Sequence, residues 1–228
     1  MNGASLTFAP ELCLIAGDGP TATITLNRPA AKNALNLELL SALVARLEEC
    51  AAAGVCVLVL QAEGTAFCAG ADIRSDDGTS IGRPGLRREL IERAIALVRA
   101  FPVAISVVDG PAVGGGWGLA FAADVVLATE NARFKFPELA LGFLPPESIV
   151  VRFHQVAGPA RAVRLLGSGE SFQADAPALN GLLEIVPAAQ VADRVNELAG
   201  LFSRSAPGLL HGLKRSIDSV TTQERSFS

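Results

Sequence analysis

Apolar residues recur along the chain in two patterns, one typical of strands and the other of helices. Short apolar runs bounded by turn residues predict strands at Leu12–Ala16, Thr21–Leu26, Val55–Leu60, Val103–Val108, Val125–Thr129 and Arg133–Phe136. The turn Gly17–Pro20 predicts that the first two form a hairpin. Asn36 can cap a helix because apolar residues follow it at helical spacing as far as Leu47. A second helix is predicted over Gly85–Ala100.

The pattern changes after Pro145, where helical spacing dominates. Helices are predicted at Ser148–Val156, Pro159–Leu166, Gln190–Ser203 and Pro207–Val220. Earlier in the chain, the polar stretch Ser75–Pro84 predicts a surface loop. The whole pattern indicates an α/β core followed by a helical C-terminal part.

Composition and charge exclude several kinds of protein. Of the 228 residues, 50% are hydrophobic and 18% charged, which fits either a homo-oligomer or one unusually well-buried domain. The net charge of −4, without a Lys/Arg run, argues against binding to nucleic acid or to a membrane surface. We expect no membrane span and no signal peptide at Met1–Pro10.

The cysteines and histidines offer little chemistry by themselves. Four cysteines without CxxC spacing (Cys13, Cys50, Cys56 and Cys68) predict reduced thiols in a cytoplasmic protein. We expect Cys68 to pack rather than to act as a nucleophile. The two histidines, His154 and His211, lack metal-ligand spacing, and the chain has no GxSxG motif, so we expect no catalytic metal and no serine nucleophile.

The glycine-rich segment Gly110–Gly118 follows a predicted strand and opens an apolar helix. Glycines let a ligand approach the backbone, and the first N–H groups of a helix attract negative charge. The segment fits neither nucleotide motif, because Trp117 stands where GxxxxGK[ST] needs lysine and Leu119 replaces the third glycine of GxGxxG. It could hold an oxyanion, or its glycines could serve close helix–strand packing.

Several motifs occur together in a fixed order, and the combination is specific. They are Leu26-Asn-Arg-Pro29, Asn33-Ala-Leu-Asn36, Phe67–Ile73, Gly110–Leu119, Phe136-Pro-Glu-Leu139 and Leu141-Gly142. In this respect the chain resembles the enoyl-CoA hydratase/isomerase (crotonase) superfamily. The resemblance implies a crotonase-like spiral of strand–strand–helix units over residues 1–165, which would carry the coenzyme A and oxyanion sites. It implies a C-terminal helical trimerisation region over residues 166–228, shorter than is usual for the family.

The resemblance also implies roles for individual residues. By motif position, the backbone N–H groups of Ala71 and Gly115 would bind a thioester oxygen and stabilise an enolate. No permanently bound cofactor is implied, because coenzyme A would be part of the substrate. The residues implied in binding substrate or coenzyme A are Arg28, Lys32, Phe67, Cys68, Ala69, Asp72, Ile73, Arg74, Gly114, Gly116, Trp117 and Gly118. For Arg74 a solvated surface charge, and for Trp117 a core position, are the open alternatives.

The acid/base residues depart from the pattern of the family's hydratases, which usually have two glutamates. Gly118 stands at the first position and Glu138 at the second. We expect apolar neighbours to raise the pKa of Glu138 towards a useful base strength, although a helix-cap or salt-bridge role is an alternative. Hydration needs one group to take a proton and another to give one, whereas isomerisation needs only one group.

Three functions therefore remain open from the sequence. The first is isomerisation or hydration of an enoyl-CoA by Glu138 with the Ala71 and Gly115 donors, in a homotrimer or dimer of trimers. The second is decarboxylation or carbon–carbon bond chemistry on a coenzyme A or carrier-protein thioester. The third is a non-catalytic acyl-CoA-binding subunit.

Overall fold

The computed structural model describes residues 9–17, 19–72 and 85–223, so the predicted loop Ser75–Pro84 lies outside the described residues. The strands are β1 (Cys13–Ala16), β2 (Thr21–Leu26), β3 (Val57–Ala62), β4 (Val103–Val108), β5 (Pro111–Val113), β6 (Val125–Ala128), β7 (Arg133–Lys135), β8 (Ser171–Gln173) and β9 (Glu184–Ile185). The helices are α1 (Leu37–Ala52), α2 (Leu86–Ala100), α3 (Gly115–Ala122), α4 (Glu147–Ala157), α5 (Pro159–Gly167), α6 (Val191–Ser203) and α7 (Pro207–Gln223). Short 3₁₀ helices occur at Pro10–Leu12, Pro29–Ala31, Leu139–Leu141, Pro177–Leu179 and Ala188–Gln190.

Two sheets organise these elements within the described residues. The larger has the strand order β1-β2-β3-β4-β6-β9, in which β1 and β2 form the predicted antiparallel hairpin and the remaining pairs are parallel. The smaller has the order β5-β7-β8. Because parallel neighbours need long crossovers, helices α1 and α2 stand between consecutive strands of the larger sheet.

The larger sheet is buried on both faces. Along β3, Leu58 and Leu60 join the main core, whereas Val57 and Val59 join a second cluster that contains Leu198 of α6. This alternation follows from the two-residue period of a strand. It explains why the central strands are continuous apolar runs in the sequence.

The structure confirms the α/β prediction and the helical C-terminal part, and it corrects some boundaries. Strand β3 begins at Val57 rather than Val55, because Cys56 and Val57 both donate backbone hydrogen bonds to the carbonyl of Pro20, at 2.8 and 2.9 Å. Strands β5, β8 and β9 were not predicted, since two or three residues are too few to show a period. The division at residues 165 and 166 stays a prediction.

Candidate active site

Two predicted ligand-binding segments meet at the carboxyl ends of two central strands of the larger sheet. Residues 66–72 follow β3 and the glycine-rich segment follows β4, and these two strands are parallel neighbours. The segments are also joined directly, since the Cys68 N–H donates to the carbonyl of Pro111 at 3.0 Å and the Val113 N–H donates to the carbonyl of Cys68 at 2.9 Å. Backbone hydrogen bonds therefore fix their separation.

Ala71 presents an unbonded backbone N–H. The Leu35 N–H donates to the carbonyl of Gly70 at 2.8 Å, and the Asp72 N–H donates to the carbonyl of Leu35 at 3.1 Å. Ala71 lies between these two bonds, so its own N–H faces away from Leu35. This N–H has no hydrogen-bond partner within the described part of the chain, and the residue is exposed. It is available to a ligand.

Gly115 supplies a second N–H as the first residue of α3. The first N–H groups of a helix have no partner within the helix, and the helix dipole adds partial positive charge there. Before it, Gly114 donates its N–H to the carbonyl of Lys135 at 2.8 Å and has φ = 52°, a conformation that suits glycine. The chain therefore turns into α3 with the Gly115 N–H unoccupied by backbone.

Two neighbouring glycines allow the segments to approach so closely. A Cβ atom on Gly116 would lie 2.6 Å from Cβ and 2.7 Å from the carbonyl oxygen of Cys68. A Cβ on Gly70 would lie 2.8 Å from the carbonyl oxygen of Val113. Real Cβ atoms do not come so close. Packing thus explains Gly116 and Gly70, while binding of an oxyanion by the Gly115 N–H stays a prediction.

Glu138 places its carboxyl group against the start of α3. A Cβ on Gly114 would lie 3.0 Å from Glu138 Cδ and closer still to Oε1. The Oε2 atom is buried and has no hydrogen-bond partner in the described residues. Burial raises the pKa of Glu138 from 4.5 to about 7. Hydrogen bonds from the backbone N–H groups of Glu138 and Gly115 favour the ionised carboxylate and so limit the rise. A carboxyl group with this pKa can both accept and return a proton near neutral pH.

The contacts of Glu138 bear on its two alternative roles. Its side chain does not cap the 3₁₀ helix Leu139–Leu141 that follows it, but its carboxyl group lies against the N–H of Gly115, the first residue of α3, so a helix-cap role at α3 stays open. No ion pair involves it among the residues that the structure describes. Its main chain is well fixed, because the N–H groups of Leu141 and Phe143 donate to its carbonyl at 3.0 and 2.8 Å.

Comparison with known proteins points to one family. The family model described as enoyl-CoA hydratase/isomerase matches residues 18–226. A probable enoyl-CoA hydratase of Bacillus subtilis (strain 168) is 33% identical over 210 residues, which are 87% of this chain and 79% of that protein. The 2,3-dehydroadipyl-CoA hydratase of Escherichia coli (strain K12) is 34% identical over 198 residues, covering 85% and 76% of the two chains.

The chain belongs to the enoyl-CoA hydratase/isomerase family. It is an enzyme of that family, and the crotonase fold is confirmed. A crystal structure of an enoyl-CoA hydratase/carnithine racemase from Magnetospirillum magneticum has a TM-score of 0.82 at 30% identity, covering 92% of this chain and 80% of that one. Another, of a putative enoyl-CoA hydratase/isomerase from Bordetella parapertussis, has a TM-score of 0.83 at 27% identity, covering 92% and 90%.

The basic residues expected to bind coenzyme A are held close to the Ala71 segment. Arg28 Nη1 lies 2.6 Å from Asp72 Oδ2 and 3.0 Å from the carbonyl oxygen of Ala34. Lys32 has an exposed side chain, and its carbonyl accepts the N–H of Ala69 at 2.9 Å. Arg28 and Asp72 thus hold this segment in place through their side chains, whereas Lys32 contacts it through its backbone carbonyl. Contact of any of the three with coenzyme A stays a prediction.

Asn33 is a structural residue that the sequence reasoning missed. It is fully buried with φ = 53°. Its Oδ1 accepts the N–H of Arg28 at 2.7 Å, and its Nδ2 donates to the carbonyls of Glu63 and Ala66 at 2.9 and 2.8 Å. Asparagine tolerates this left-handed conformation better than most residues, and that preference is the signal by which the sequence could have indicated a turn at Asn33. The residue ties the loop before α1 to the loop after β3.

Trp117 and Phe67 lie in the core. Trp117 is fully buried, with Phe121, Phe134, Phe136, Phe153 and Phe172 around it at ring-centroid distances of 5.1 to 6.0 Å. The core alternative for Trp117 therefore describes its position, and contact with an acyl group stays a prediction. Phe67 is 1% exposed, and burial raises the pKa of the neighbouring Cys68 thiol to about 12, as suits a packing residue.

Gly118 is buried on α3, and the side chain beside it belongs to Ile149 of α4. No sequence signal marked Ile149, because an isoleucine on a helix face is ordinary core. Ile73 and Arg74 lie outside the described residues. No group of three or more His, Cys, Asp or Glu side chains suited to a metal occurs in the described ranges. Nor is any helix there long and apolar enough to cross a bilayer.

Proposed function

We propose that this enzyme shifts a double bond in an enoyl-CoA thioester, using Glu138 as the single acid/base. The observation that carries the proposal is the Glu138 carboxyl group, with a pKa of about 7, against the Gly115 N–H at the start of α3. A base with this pKa is half ionised near neutral pH, where it can remove a proton and give it back.

The reaction follows from these groups. The Glu138 carboxylate removes a proton from C2 of a 3-enoyl thioester, and the electron pair of that C–H bond moves onto the thioester oxygen. The N–H groups of Ala71 and Gly115 stabilise the resulting dienolate. One such donor typically contributes about 100- to 1000-fold in rate. The protonated Glu138 then donates to C4, and the double bond comes to rest between C2 and C3. One C–H bond breaks and one forms.

The substrate carrier and the assembly belong to the proposal as well. Coenzyme A is supported by the names of the relatives, which are enoyl-CoA and dehydroadipyl-CoA enzymes. A homotrimer or dimer of trimers stays a prediction, as does a cytoplasmic location. The exposed side chains of Leu209 and Leu213, four residues apart on α7, are compatible with a subunit interface.

Glu138→Gln tests the proposal directly. It keeps the shape of the side chain and removes the base, so turnover of 3-enoyl-CoA should fall by about 100- to 10,000-fold. Calorimetry should show acyl-CoA binding within a few-fold of the unmodified protein. The matched control is Glu147→Gln, which removes an exposed glutamate of α4 and should leave turnover unchanged.

Other results would contradict the proposal. Substantial turnover by Glu138→Gln would exclude this carboxyl as the base. Tight acyl-CoA binding by the unmodified protein without turnover of any 2- or 3-enoyl thioester would favour a non-catalytic binder. Release of carbon dioxide or a cleaved thioester from a panel of acyl-CoAs would favour decarboxylation or carbon–carbon bond chemistry.

A further inference from the structure

Position 118 of helix α3 is closed by a hydrocarbon side chain. A Cβ atom added to Gly118 would lie 2.6 Å from Cγ1 of Ile149 and closer still to its Cδ1. Ile149 is fully buried in the first turn of α4, where its N–H donates to the carbonyl of Pro146 at 3.1 Å. Any side chain at 118 would leave the helix along the line that Ile149 now occupies.

This closed position is one helical turn from the Glu138 carboxyl group. The Gly118 N–H donates to the carbonyl of Gly114 at 3.0 Å, and the Gly114 Cα is the one that faces Glu138. Gly114 is the N-cap of α3 and this hydrogen bond closes the first turn, so position 118 lies one turn beyond the residue that faces Glu138. The Ile149 side chain therefore fills the space beside position 118, one helical turn from the residue that the Glu138 carboxyl contacts. Helix α3 itself, from Gly115 to Ala122, carries no ionisable side chain.

Addition of water to a 2-enoyl thioester needs two proton transfers at different atoms. One group takes a proton from water as its oxygen bonds to C3, and another gives a proton to C2 as the double bond is lost. A single carboxyl group serves a proton shift between carbons more readily than both steps at once. A branched hydrocarbon beside that group also offers a water molecule no hydrogen-bond partner.

We propose that Ile149 is a specificity-determining residue, which excludes a second acid/base and its water from the position beside Gly118 and so favours isomerisation over hydration. This inference rests on the proposed role of Glu138. It concerns the choice between two reactions of the same thioester.

The packing part of the proposal is tested by thermal unfolding. Gly118→Ala should lower Tm by about 5 °C in the native background, since the new methyl group meets Ile149. In the Ile149→Ala background, which opens the space, the same substitution should cost less than half as much. Equal costs in both backgrounds would overturn the proposal, whether or not any variant is active.

The chemical part uses a pair of double variants. Gly118→Glu with Ile149→Ala supplies a carboxyl group and room for it; Gly118→Gln with Ile149→Ala is the matched control without a base. Products from 2-enoyl-CoA are measured by mass, hydration adding the mass of one water. The Glu variant should hydrate at least about ten-fold faster than the Gln control, whereas the unmodified protein should isomerise 3-enoyl-CoA much faster than it hydrates 2-enoyl-CoA.

Failure of this inference can be told apart from failure of the proposed function. The unmodified protein and Glu138→Gln report on the proposed function alone, through isomerisation. If isomerisation depends on Glu138 but the unmodified protein hydrates equally fast, or the two folded double variants hydrate alike, the role of Ile149 is wrong and that of Glu138 stands. If isomerisation is absent, both proposals fall together.

Discussion

Replacing Glu138 with glutamine should stabilise the protein at alkaline pH while it abolishes turnover. The carboxyl group is partly buried against α3, and its Oε2 has no hydrogen-bond partner among the described residues. Ionisation at this place costs free energy, because the N–H groups of Glu138 and Gly115 compensate only in part for the displaced water. Glutamine keeps the size of the side chain without the charge. The protein would thus hold its base at the expense of stability.

The sign and size follow from the pKa of Glu138. Burial raises that pKa from 4.5 to about 7 in the folded protein. Between these values the folded state binds more protons than the unfolded state, so the free energy of unfolding falls as pH rises, and the loss is complete above pH 7. The full difference corresponds to about 3 kcal/mol. Because the carboxyl group is partly open to solvent, screening reduces this to about 1–2 kcal/mol.

The assay is thermal unfolding of both proteins at pH 5 and pH 8. At pH 8 Glu138→Gln should raise Tm by about 3–6 °C, and at pH 5 the gain should shrink to about 1 °C, because the carboxyl is then largely protonated. Glu147→Gln, on the exposed start of α4, should change Tm equally little at both values. The reasoning is refuted if Glu138→Gln destabilises the protein at pH 8, or if its effect is the same at both pH values.

Two further predictions concern buried residues. Asn33→Ala removes a buried amide that joins three backbone groups, so it should lower the free energy of unfolding in denaturant by about 2–4 kcal/mol. The exposed control Asn131→Ala should lower it by about 0.5 kcal/mol, and similar losses for the two variants would contradict a structural role of Asn33. Burial raises the pKa of Cys13 and Cys68 to about 12, so a thiol reagent at pH 8 should label them orders of magnitude more slowly in the native protein than in guanidinium. Rapid native labelling of either would show that its burial is wrong.

Much of the fold and the order of the site segments could be predicted because both depend on local signals. Central strands such as β4 are buried on both faces, so they appear as unbroken apolar runs. Asn36 caps α1 as expected, its Oδ1 accepting the Leu39 N–H at 2.9 Å. The glycines after β4 predict a close backbone approach, and in the structure they pack against residues 66–72.

What could not be predicted are contacts between residues distant in the sequence. Nothing in the local pattern pairs Arg28 with Asp72, or sets Ile149 against Gly118. The sequence shows that position 118 carries no carboxylate, but it does not show which side chain fills the space beside Gly118. Only the packing of α4 on α3 reveals that the space is filled by hydrocarbon.

The candidate donors of this site are peptide groups, and this affects how such an enzyme can diverge. Ala71 and Gly115 offer N–H groups that exist whatever side chain is encoded, and backbone hydrogen bonds at Leu35, Cys68 and Gly114 hold the segments that carry them. Point mutation therefore changes the surroundings more readily than the part that receives negative charge. Nearby side chains, Ile149 among them, can therefore be exchanged while the two candidate backbone donors stay in place.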